Sequence, residues 1–188
     1  GYQYGEGLLG LAKTFEDQIF PTKSNDLIPY FYNDNIFFED LFQLSTNISS
    51  ENLTSSLSIY DSVLTSIPES SLASEAEFRL AEIQYRVIED FDKAYILYKS
   101  ALSKSLTKTL EQQTILRIAD VLRAKGDFTT AISFLDSMYN THQTLEIKNK
   151  LVEMHLFSGR PDTTLIMINE IFLTIMPTNK YFNDLMAV

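Results

Sequence analysis

Two stretches of the chain share one pattern. Phe78-Arg79-Leu80-Ala81-Glu82-Ile83-Gln84-Tyr85 is followed by Asp90-Phe91-Asp92-Lys93-Ala94, then Tyr98 and Ala101. Ile115-Leu116-Arg117-Ile118-Ala119-Asp120-Val121-Leu122 is followed by Gly126-Asp127-Phe128, then Ala131, Leu135 and Met138. In both, large residues recur at helical spacing, an acidic-aromatic turn follows, and a small residue opens a second helix. One helix pair cannot bury its apolar face alone, so repeated pairs must stack. The expected fold is all-α, an α-solenoid of antiparallel helix pairs.

The rest of the chain divides around this repeat. Residues 1–35 read as an N-terminal helix over 4–20, stopped by Pro21, and an aromatic loop over 21–35. Residues 36–68 read as a divergent pair, with helices over 36–48 and 51–67 closed by Pro68. Residues 71–175 hold three pairs: 71–88 with 91–104, 109–124 with 128–140, and 144–157 with 161–175. Residues 176–188 begin a further helix that is possibly cut short. Exposed apolar residues are expected at Leu8 and Leu9 and across 182–185, where neighbouring repeats would stack. The step from Ala94 to Ala131 is 37 residues and that from Gly126 to Gly159 is 33, so an extended helix or loop is expected over 103–109.

Composition narrows the function. The net charge of −10 disfavours nucleic acid and anionic membrane as partners. Residues 1–70 hold ten acids against Lys13 and Lys23. That acidic end suits a basic partner, but a solubilising face is the favoured reading. The absence of cysteine excludes disulfides and zinc–cysteine sites, and slightly favours an envelope or secreted setting. No apolar run reaches 18 residues, so no membrane insertion is expected. The start at Gly1 reads as an excised piece of a longer protein or a mature form.

The pattern resembles the tetratricopeptide repeat (TPR) family. Phe78, Ala81, Tyr85, Ala94, Tyr98 and Ala101 stand where its pattern wants them, with Glu82 departing where Gly or Ala is usual. Ile115, Ile118, Ala119, Leu122, Ala131 and Leu135 match a second unit. A third keeps Leu151, Gly159, Ile168 and Ile171 but puts His155 at an aromatic position and Thr164 at an alanine position. The first pair keeps mainly Tyr60 and Pro68. The resemblance implies a right-handed superhelix whose first helices line a concave groove. The groove residues it implies are Arg79, Ile83, Arg86, Leu116, Asp120, Arg123, Asn149 and Glu153. Arg79, Arg86 and Arg123 would form a basic lane able to clamp a carboxylate or an acidic segment. Pairing of these arginines with Glu82, Asp120 and similar neighbours is the slightly favoured alternative.

Catalytic motifs are missing from the sequence. His142 and His155 lie 13 residues apart, off any shared helical turn. Adjacent acids such as Glu16-Asp17, Glu39-Asp40 and Glu89-Asp90 point in different directions on a helix. The triplets Asn47-Ile48-Ser49 and Asn52-Leu53-Thr54 fit a glycosylation pattern that a Ser/Thr-rich tract produces by chance. The expected function is a non-catalytic protein–protein interaction scaffold or adaptor. It would need no cofactor and would hold a segment of another protein. The alternatives are a self-assembly or spacer module of a larger envelope protein, with residues 27–38 as contact surface, and an accessory repeat domain of an enzyme.

Overall fold

A computed structural model describes residues 2–19, 49–104 and 106–187. Among the described residues the chain is helical, with no strand. The helices are α1 (Tyr2–Glu16), α2 (Ser50–Ser66), α3 (Ser71–Ile83), α4 (Phe91–Leu102), α5 (Lys108–Ala124), α6 (Phe128–His142), α7 (Leu145–Phe157), α8 (Pro161–Phe172) and α9 (Phe182–Met186). A π-helical turn, Gln84–Ile88, extends α3. Helices α1–α5 belong to one compact unit and α6–α9 to another.

Local chemistry explains where the helices begin. Ser49, Ser70, Asp90, Thr107, Asp127 and Thr144 each accept a backbone N–H three residues on. Each cap satisfies one of the donors left over in a first helical turn. Helix α8 lacks a side-chain cap and starts on Pro161, whose missing N–H is one of those spare donors.

The helix-to-helix turns are chemically equivalent. Gly126 and Gly159 are left-handed, with φ of 74° and 75°. Glu89 occupies the corresponding place before Asp90-Phe91, with φ of 61°. A Cβ is strained there and glycine is not. Glu89→Gly is therefore expected to raise the unfolding free energy of the first unit by about 1 kcal/mol. Urea denaturation checks this, and an unchanged midpoint would refute it.

In the first unit, α1 packs on α2, α2 on α3, α3 on α4 and α4 on α5. Its core joins Leu9, Ala12, Tyr60, Val63, Leu72, Ala76, Leu80 and Ile83. In the second unit α7 packs on both α6 and α8. Val152, Ile168, Ile171, Tyr181 and Leu185 form its core cluster, which fastens α9. One register recurs along the helices, a small residue with a large one four positions on. Ser56–Tyr60, Ala76–Leu80, Ala94–Tyr98, Thr114–Ile118, Ala131–Leu135 and Thr164–Ile168 are such pairs, and all twelve side chains are buried. Positions four apart share a helix face, so the small member lets a neighbouring backbone approach while the large member fills the space beside it.

The aromatic loop over 21–35 and the helix over 36–48 lie outside the described residues. Among the described residues α1 and α3 both pack on α2. The apolar ends are not where they were expected. Leu9 and Leu185 are buried in the two cores, and Phe182 packs its ring on Phe172 at 5.0 Å. The exposed apolar residues near the ends are Tyr2, Tyr4, Leu11, Leu173, Met176 and Met186. The helix expected over 109–124 spans 17 residues and its counterpart α7 spans 13. That difference matches the longer repeat step.

Candidate functional site

Helices α1, α3, α5 and α7 each carry a basic residue three positions before an acid. The pairs are Lys13 and Glu16, Arg79 and Glu82, Arg117 and Asp120, and Lys150 and Glu153. All four acids are buried, between 1% and 6% exposed. Acids are rarely buried without partners, so each must be matched.

In the first unit the partners come from successive helices. Glu16 closes α1. It accepts from the Tyr60 hydroxyl of α2 and from Arg79 Nη1 of α3 at 3.3 Å. Glu82 repeats this arrangement one step along. It accepts from the Tyr98 hydroxyl of α4, from Arg86 Nη1 at 3.4 Å and from Arg117 Nε of α5 at 2.9 Å. Asp120 holds Arg117 at 3.2 Å and Arg123 at 3.8 Å. Lys13 and Arg79 meet at Glu75, at 2.5 and 3.9 Å. The acid of one helix is thus shared between a tyrosine of the next helix and an arginine of the helix after that. This ladder ties three consecutive helices together at each of two rungs.

Burial sets the protonation of the rungs. It raises the Glu16 carboxyl above the ordinary carboxylate range, against the opposing pull of Tyr60 and Arg79. Burial, and then the adjacent carboxylate, pushes the Tyr60 and Tyr98 phenols up, so both remain donors. Burial also opposes the Arg79 charge, but Glu16, Tyr60 and Glu75 outweigh it and its guanidinium is held above its usual range.

No protein-family model matches this chain, and no curated protein matches it.

Against this geometry the expected groove residues separate. Arg79, Arg86 and Arg123 are half-buried and engaged with Glu16, Glu82 and Asp120, as the pairing alternative anticipated. Ile83 is fully buried in the core beside Leu80 and presents nothing to solvent. Arg79 and Ile83 are four positions apart on α3, yet the arginine reaches Glu16 while the isoleucine packs in the core. Leu116 is half-buried and Asp120 is buried. In the second unit Glu153 is buried and paired with Lys150 at 2.7 Å. Asn149 is 2% exposed, and neither polar atom of its amide has a hydrogen-bond partner among the described residues.

Tyr60, Tyr98, Glu16 and Arg117 are the residues that sequence reasoning missed. The basic-x-x-acid spacing does not single them out, because it also occurs at Lys23–Asp26, Arg86–Glu89 and Lys108–Glu111. His155, expected at an aromatic position, is buried. Burial, then the nearby Arg160 charge, lowers its affinity for a proton. A hollow of about 470 Å³ opens beside the α8–α9 connection, lined by Leu145, Thr174, Ile175, Met176, Thr178 and Asn179. Among the described residues no three His, Cys, Asp or Glu side chains group as metal ligands, and no helix is long and apolar enough to cross a membrane.

Proposed function

We propose that the chain is a non-catalytic, TPR-type interaction scaffold whose helix pairs run antiparallel and wind right-handed. In this reading the face of the first unit formed by α1, α3 and α5 holds an extended or helical segment of another protein. The observation that carries it is the ladder, in which a buried acid of one helix is held by a tyrosine of the next and an arginine of the helix after that, once at Glu16 and again at Glu82. A contact repeated from helix to helix supports a stacked repeat. The arginines of this face are already held by Glu16, Glu82 and Asp120, so they offer a rigid, patterned surface. Pre-organisation of that kind lowers the entropy cost of binding.

Panning a displayed peptide library against the full chain tests the proposal. Enriched peptides are expected to bind at least about tenfold more weakly to Arg86→Gln, with helix content unchanged by circular dichroism. A library that yields no enriched peptide overturns the reading. So do peptides indifferent to Arg86→Gln and to Arg123→Gln.

A further inference from the structure

Helix α1 places glycines at positions 5, 7 and 10 of a 15-residue helix. Packing explains the first. A Cβ added to Gly5 would lie 2.3 Å from Ile67 Cδ1. At Gly7 and Gly10 an added Cβ would meet nothing within 4 Å. An interior glycine weakens a helix relative to alanine, and a lone helix of this length is already marginal. Helix α1 is therefore helical because it is docked.

The docked end has its own chemistry. Leu9 and Ala12 enter the core, and the helix closes by burying the Glu16 carboxylate against Tyr60 and Arg79. The charged and titratable groups facing Glu16 are Tyr60 from α2 and Arg79, Glu75 and Glu82 from α3, with Lys13 one turn back on α1. Docking α1 thus desolvates an acid that the undocked helix would leave in water.

We propose that α1 is a proton-linked cap on the first unit, opening ahead of α3 and α4 and held more tightly as the pH falls. Burial raises the Glu16 carboxyl, so between its ordinary and raised values the docked state binds a proton that the open state lacks. The tightening is complete below the ordinary carboxylate range and is lost as pH rises through the raised value. Opening uncovers the faces of α2 and α3 that carry Tyr60, Val63, Leu72 and Ala76.

Native-state hydrogen exchange on the full chain, corrected for intrinsic rates, tests this between about pH 4.5 and 8. The α1 amides are expected to be at least about tenfold less protected than those of α3 and α4, and to lose protection as pH rises. Glu16→Gln should flatten that slope. The double substitution Gly7→Ala and Gly10→Ala should raise α1 protection roughly tenfold while leaving α4 unchanged. Helix α1 exchanging only together with α3 and α4 would overturn the proposal. A slope that survives Glu16→Gln, or a double substitution that protects all helices equally, would do the same.

Discussion

Replacing Ala94 by glutamate is expected to unfold the first unit. Ala94 is fully buried one turn before Tyr98, on the face of α4 that meets its neighbours. A longer side chain would hold the backbones apart, which costs about 1–3 kcal/mol on its own. Its carboxylate would also be buried in the helix interface, which adds the cost of an uncompensated charge. The combined loss should exceed about 4 kcal/mol, a large share of the stability of a unit this size. Ala131→Glu should do the same to the second unit, where Ala131 is equally buried. Thermal unfolding followed by circular dichroism decides it. A cooperative transition within a few degrees of the parent for Ala94→Glu would show that the small residue is not what lets these helices approach.

The second large effect concerns Glu82. Removing its carboxylate by Glu82→Ala strands the buried Tyr98 hydroxyl and takes one partner from Arg86 and Arg117 together. Breaking a buried charge arrangement from one side costs about 3–5 kcal/mol. Glu82→Gln keeps an oxygen for Tyr98 and should cost only about 1–2 kcal/mol. Denaturant titration of both variants measures the gap. Equal losses would mean that side-chain volume, not the shared hydrogen bonds, makes Glu82 matter. The sequence comparison had marked Glu82 as a departure from a small residue. The structure supplies the reason, since the larger acid reaches Tyr98 and Arg117 on two further helices.

Much of the helical framework was legible before any coordinates. Capping residues, left-handed turns and the 3.6-residue period act within a few positions of one another, so they are written locally. Asp90, Gly126 and Asp127 mark their boundaries in the sequence as they do in the structure. The candidate site was legible in part. The arginines were singled out, and so was their pairing with Glu82 and Asp120. Ile83 was expected in the groove, yet it is buried in the core with Leu80, because what packs against a helix face is set by other helices. Glu16 is buried although it stands beside Asp17 in an acidic pair. Its 44-residue separation from Tyr60 and 63-residue separation from Arg79 leave no local trace.

From the sequence alone came the helical class, the turn chemistry and the small residues through which helices approach, because each depends on neighbours in the chain. Tertiary structure alone decided which helix lies against α2 and which acids are removed from water. It also decided that tyrosines from α2 and α4 hold them there. Burial is a property of what surrounds a side chain in space, and a carboxylate has the same chemical identity on a wet surface as in a core.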